Sequence, residues 1–312
     1  PADEVILKLK LFMKKALKVI GYALAGLILI VILAALLIRF VFKEQMIAYV
    51  SKIEEKERID LLRYATPYAS DTVRYRFVYR QDTIQAQKIH AYFRLDTLLT
   101  DSSATTWDKT LTLATFVASH IPHANQTKYP QKSNAIDLWE YTRKVEPAFN
   151  CRLHAILLHE LMLAEGITNR FVTCLPADTL DSDCHVVNLV WLPEQNKWAM
   201  IDSDMQAWIS NPEGTPLSLA EMRERYISGS SMQIHPLLDG TKEDFNYDYY
   251  RSYWAKNLYW FICWEETGYG KEDSMEGRQI TLAPAGFTDP DARPSDVHTT
   301  DAERFWAAPN PI

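Results

Sequence analysis

An α+β domain behind a single membrane-spanning helix is the architecture the sequence predicts, and three observations predict it. Val19 to Ile38 is a run of twenty residues without a charge. Cys151 to Glu165 is a strongly apolar stretch with Asn150 before it and Gly166 after it, a helix with its start and stop signals. His185–Leu192 and Trp198–Asp202 are two apolar runs joined by a turn-forming segment, the pattern of an antiparallel hairpin. A helix bearing Cys151 packed on an antiparallel sheet follows from the last two. The 312 residues leave room for one large domain or two small ones. Apolar residues at 47% and charged residues at 23% exclude wholesale disorder and a multi-span membrane protein.

The uncharged run spans roughly 30 Å as a helix, one bilayer core. Lys8, Lys10, Lys14, Lys15 and Lys18 precede it against only Asp3 and Glu4. The lysine excess places the N-terminus in the cytoplasm and everything after about residue 43 across the membrane. A cleaved signal peptide would have a shorter apolar region and a small-x-small site followed by a polar start. The first 42 residues carry six basic and two acidic side chains, +4, so with −7 overall the remainder carries −11. That acidity argues against nucleic acid, whose phosphates need clustered Lys and Arg.

The boundaries expected along the chain are a basic cytoplasmic segment at 1–18, the anchor at 19–42, and a helical stalk with an N-terminal subregion at 43–105. A catalytic-type domain at 106–230, an aromatic-rich extension at 231–283 and a Pro-rich tail at 284–312 complete the set. Glu44–Tyr64 reads as a helix with Met46, Val50 and Ile53 on one stripe. Val73–Tyr79 alternates like a strand, while about 83–99 and 107–121 return to helical spacing. Loop composition follows through 132–134. Ile167–Cys174 reads as the strand after the Cys151 helix. From Pro284 onward Pro290, Pro294, Pro309 and Pro311 recur without a long apolar run, predicting an irregular tail.

The chemistry concentrates between Asn150 and Trp208. If Leu192 pairs with Lys197, then Val187 faces Asp202 and His185 becomes its same-face diagonal neighbour. A slip of one residue would send them to opposite faces. Cys151, the first residue of its helix, meets unpaired amide donors and the positive end of the helix dipole, both of which favour thiolate. Nucleophile, imidazole base and orienting carboxylate are the parts of covalent acyl transfer. Taken singly each has a plainer meaning: Cys151 a buried small hydrophobe, His185 a strand-end residue, Asp202 a turn former.

These residues resemble the transglutaminase-like superfamily of cysteine enzymes. The resemblance is carried by Cys151 and Ala155 on an apolar helix, the Gly166 to Arg170 turn, Arg170-Phe171-Val172 in the next strand, Asp183 through Asn188 with His185 at the strand head, and Trp198 to Asp202. It covers roughly residues 107–230 and implies a papain-like core. By that resemblance Cys151 is the nucleophile, His185 the general base and acid, and Asp202 the imidazole orienter. Asn150 and Arg152 flank the cysteine where members carry small or aromatic residues, and Ser203 stands where Pro often follows the Asp. The interval of 34 residues from Cys151 to His185 is far shorter than the 130–150 of papain-type enzymes, which favours the transglutaminase-like branch. The function implied is attack on an amide bond of a protein or peptide, with a glycopeptide among the options, and no cofactor or metal. A catalytically idle binding or scaffolding module of the cell envelope is the alternative.

Metal binding is the chemical competitor, since His154, His159, Cys174 and Cys184 crowd the same region. Yet no CxxC pair occurs, and two histidines five apart on a helix point about 140° away from each other. His159-Glu160 opens like a zinc-protease motif, but Leu163 holds the second histidine position. Cys174 and Cys184 are either a disulfide or two free thiols. Tyr250, Trp254 and Phe261 fall on one helical stripe and read as core. The sequence says nothing of oligomeric state. On the topology it predicts, protease added to intact spheroplasts digests the chain beyond about residue 43; protection until the membrane is lysed would reverse the orientation.

Overall fold

The helix α1 (Ala2–Phe40) contains Lys10–Leu37, long and apolar enough to cross a membrane, with a mean hydropathy of 2.8. The structure, a computed structural model, describes residues 2–40, 43–239, 244–274 and 276–309. The side chain of Met46, and Pro311, lie outside the described residues. Residues 1–54 form one compact unit and residues 55–312 a second.

After α2 (Lys43–Tyr64), the second unit continues with β1 (Val78–Tyr79), α3 (Thr83–Phe93), α4 (Leu95–Leu98), α5 (Thr106–His120) and α6 (Ala135–Lys144). Next come α7 (Cys151–Ala164), β2 (Asn169–Leu175), β3 (His185–Leu192), β4 (Lys197–Ile201), β5 (Ala207–Ser210), α8 (Leu219–Ser228) and β6 (Gln233–Pro236). The chain closes with α9 (Tyr247–Asn257), β7 (Trp260–Trp264), β8 (Glu266–Thr267), α10 (Lys271–Ser274), β9 (Gln279–Leu282), β10 (Val297–Thr299) and α11 (Ala302–Phe305). Six strands make the main sheet in the order β10-β9-β7-β2-β3-β4, antiparallel except for the β10–β9 pair.

Both faces of that sheet are covered, which is why β2 and β3 read as nearly continuous apolar runs. Phe171, Val186, Val190 and Ile201 point into a core shared with α3, α5, α6 and α7. Their neighbours Val172, Val187, Leu189 and Met200 point the other way, into a core completed by α8, α9 and the C-terminal segment. The period-two alternation of a strand thus feeds two cores rather than a core and solvent. Helix α7 is buried on nearly every side from Leu153 to Leu163, since it lies between the helical layer and the sheet.

Several local expectations change. Of 73–79, only Val78 and Tyr79 join a ladder, with β8; the inward-outward alternation of 73–79 persists, but side chains satisfy part of the backbone, Glu265 accepting from the Arg76 amide at 3.2 Å and Arg304 donating to the Val73 carbonyl. Helix α6 follows directly on the 132–134 loop, capped by Asn134; at ten residues it is too short to assert its periodicity against loop neighbours. Tyr250 and Trp254 are buried on α9, whereas Phe261 belongs to β7, because Leu258 ends the helix. All four cysteines are free thiols. The Pro-rich tail, as far as residue 309, is packed, not loose: β10 edges the sheet and Phe305 is fully buried.

What docks that tail is Arg170. Its guanidinium is fully buried and stands 4.2 Å from the Phe77 ring centre, 4.9 Å from Trp198, 5.2 Å from Phe305 and 5.6 Å from Trp306. It donates to the Phe305 carbonyl at 2.8 Å. A delocalised, weakly hydrated cation stacks in such a cage where an ammonium would not. Arg170→Ala should therefore cost about 3–5 kcal/mol, by cavity and lost cation–π contact together. Arg170→Lys should recover little of it; urea titration of the detergent-solubilised chain measures both.

Candidate active site

Asn150 is extended at φ −84° and ψ 172°, and its side chain accepts from the Leu153 amide at 3.1 Å. Helix α7 starts cleanly as a result, with Cys151 as its first residue. The opening amides of a helix have no intrahelical acceptor, so the Cys151 amide is free to serve a ligand. The thiol is half-buried, its Sγ 3.9 Å from the Cys184 carbonyl. Asn188 on β3 donates to the Ala155 carbonyl at 2.9 Å, tying the helix that starts at Cys151 to the strand that starts at His185.

The hairpin has the expected register: Leu192 pairs with Lys197, and the ladder runs to Asn188 opposite Ile201. One step further, His185 Nε2 meets Asp202 Oδ2 at 2.7 Å, both residues buried. Asp202 is itself held, since its Oδ1 accepts from the Met205 amide at 2.9 Å and the Tyr250 hydroxyl donates to Oδ2 at 3.4 Å. The rings of Tyr253 and Trp254 each stand edge-on to the imidazole at 5.3 Å. With Nε2 engaged, Nδ1 is the nitrogen left for Cys151. Burial alone would strip the proton from His185, but the charge and hydrogen bond of Asp202, with a further contribution from Cys151, hold its pKa well above the ordinary 6.5.

A second carboxylate completes the site. Asp204, two residues past Asp202, accepts from His123 Nδ1 at 2.8 and 3.0 Å and lies 3.5 Å from His154 Nε2. Burial pushes its pKa up, yet the His123 hydrogen bond and the surrounding imidazoles win and hold it below the usual value. The same hydrogen bond raises His123, while burial pushes His154 toward the neutral form. Cys151 Sγ, a His185 ring nitrogen and an Asp204 oxygen lie within 4.8 Å of one another. A zinc-like cation held by these sulfur, nitrogen and oxygen donors would have to displace the protons of the Cys151 thiol and of the His185 nitrogen facing it. Cys151, His185, Asp204 and His123 line a cavity of about 360 Å³, with Tyr249 and Tyr253 on its rim.

The structure therefore brings Cys151, His185 and Asp202 together, with His154 behind Asp204 and Cys184 on the same cavity, while His159 and Cys174 point elsewhere. His159 pairs with Asn169 at 2.6 Å, and burial drops its pKa to about 4. Cys174 is fully buried directly opposite His185 in the β2–β3 ladder, its thiol pushed well up by desolvation; burial also raises Cys184. Sequence reasoning missed His123, Asp204 and the contact of Tyr250 with Asp202. The one signal for Asp204 was a second acid so soon after Asp202.

Residues 94–203 match the model of the transglutaminase-like superfamily. A solved structure described as a candidate cysteine protease from Cytophaga hutchinsonii is 14% identical, with a TM-score of 0.32. The alignment covers 50% of this chain and 53% of that one, so the chain spans about half of that structure's length. No curated protein matches.

A raised imidazole pKa is also a statement about stability. Its contribution is complete below the unfolded value near 6.5 and is lost as pH rises through the folded value. Asp202→Asn should move the His185 midpoint down, as read from imidazole NMR shifts. The stability gap between wild type and variant should be widest below pH 6.5 and narrow as pH rises.

Proposed function

We propose, on the premise that residues 94–203 form a transglutaminase-like superfamily domain, that the chain is a membrane-tethered cysteine enzyme acting on amide bonds. Cys151, His185 and Asp202 are its catalytic residues. The observation that carries the reading is the 2.7 Å contact between His185 Nε2 and Asp202, which turns Nδ1 toward a cysteine at a helix start. In this reading Cys151 yields its proton to Nδ1, and the sulfur attacks the carbonyl carbon to give a tetrahedral oxyanion beside the Cys151 amide. As the C–N bond breaks, the imidazolium passes its proton to the departing amine, leaving a thioester. Water, deprotonated by His185, releases a carboxylic acid in a peptidase or amidase; an amine in its place gives a new amide. Asp202 keeps its own charge throughout, fixing the ring and stabilising the imidazolium.

The substrate fits the same description: a protein or peptide, reaching a cavity rimmed by tyrosines. The apolar Lys10–Leu37 stretch would hold the domain at a membrane, on the extracytoplasmic side by its lysine bias.

Thiol chemistry tests the assignment. Near pH 6 Cys151 should alkylate with iodoacetamide well ahead of Cys174, Cys184 and Cys263, the last two-sidedly packed with its pKa raised to about 11 by burial. His185→Ala should slow that alkylation, and Asp202→Asn should disturb it less. Cys151→Ala should abolish acyl transfer while leaving the fold intact, as one half-buried sulfur leaves little cavity. Equal reactivity of all four thiols, indifferent to His185→Ala, would return the site to a binding module.

A further inference from the structure

The Cys151 amide is a single oxyanion donor, and the structure supplies a second group beside it. Residues 122–124 are laced to the segment just before α7: the Phe149 amide donates to the Pro122 carbonyl at 3.0 Å, and the Ala124 amide to the Phe149 carbonyl at 2.7 Å. Gln126 adds bonds to the Ala124 and Ala148 carbonyls at 2.8 and 3.1 Å. His123 is thereby fixed next to the start of the helix that carries the nucleophile. Its Nδ1 is committed to both oxygens of Asp204, and Asp204 in turn lies within 4.8 Å of Cys151 Sγ. The two imidazole nitrogens sit on opposite sides of the ring, so Nε2 faces away from Asp204. His123 lines the same cavity as Cys151 and its side chain is more than half exposed, with Nδ1 already taken by Asp204.

We propose that His123, oriented by Asp204, donates from Nε2–H to the carbonyl oxygen of the acyl group as Cys151 attacks it. The inference rests on the cysteine-nucleophile reading above. As the Sγ–C bond forms, the carbonyl π pair moves onto oxygen, where the Nε2–H bond strengthens without proton transfer. When the C–N bond breaks the pair returns, and His185 alone supplies the proton to the amine. Donation from both ring nitrogens requires the imidazolium. Asp204 and Asp202, on the turn after β4, favour that form; the charge of His185 at the head of β3 and partial burial oppose it, and His154 on α7 faces Asp204 from behind. Acylation should accordingly fall as pH rises through the His123 midpoint.

The test compares two reactions of the full chain at Cys151. Acetylation by p-nitrophenyl acetate passes through an oxyanion; alkylation by iodoacetamide does not. His123→Ala should slow acetylation about 100-fold or more and leave alkylation within about twofold of wild type. His123→Gln, a neutral donor, should recover part of the rate and lose the alkaline fall, and Asp204→Asn should move that fall to lower pH. Acetylation by His123→Ala within about threefold of wild type, or a matching loss of alkylation, would overturn the assignment. If wild type itself is never acetylated on Cys151, the nucleophile reading fails and takes this one with it.

Discussion

Strand β3 must serve two cores at once, and most of the molecule is arranged around that constraint. Its even-numbered residues Val186, Asn188, Val190 and Leu192 face the helical layer, with Asn188 bonded to α7; its odd-numbered residues Val187 and Leu189 face the layer of α8 and α9. His185 follows the odd set and stands among Tyr253 and Trp254 of α9. Cys151 belongs to the opposite layer. Helix and histidine therefore meet around the end of the sheet, and only there: anywhere further along β3 the sheet itself would separate them. The first residue of a strand and the first residue of a helix are the two positions where such an encounter is possible, and the site occupies both.

Electrostatically the site is two buried carboxylates and three imidazoles, two of them buried and His123 open to the cavity. The turn after β4 delivers Asp202 to one imidazole and Asp204 to two others, an economy that follows from the bridge between Asp202 and Ala207, which closes the turn tightly. Each carboxylate is matched by a group able to carry positive charge, so neither is left as an uncompensated buried anion. Ser203, between them, takes the place where a Pro is frequent in the superfamily. Its backbone can follow a turn that presents both neighbouring acids inward.

How much of this was legible in the sequence depends on the range of the interaction. Helix α7, the strand from His185 to Leu192 and the Leu192–Lys197 register are local matters of capping and periodicity, and they read correctly because burial on both faces of the sheet left β3 uniformly apolar. His123 was illegible for the opposite reason. Its role depends on an isolated backbone bridge to Phe149 and on Asp204, 81 residues away, and neither leaves a periodic trace. The C-terminal strands were missed likewise: β9 and β10 are short, and proline spacing spoke for a loose tail while Phe305 and Trp306 carried the contrary information.

The cage around Arg170 has a bearing on how the chain comes into being. The Arg170 guanidinium is met by aromatic rings, the Phe305 carbonyl and the Cys263 sulfur at 3.8 Å, and two of those rings, Phe305 and Trp306, lie about 135 residues further along the chain. While the chain is being synthesised, the segment from Cys151 to Asp202 emerges well before Phe305 and Trp306 can house Arg170. Until then Arg170 favours solvent over the sheet interior, and the apolar strands on either side of it stay unsettled. The cage around Arg170 can therefore close only once Phe305 and Trp306 have been made, well after β2 and β3.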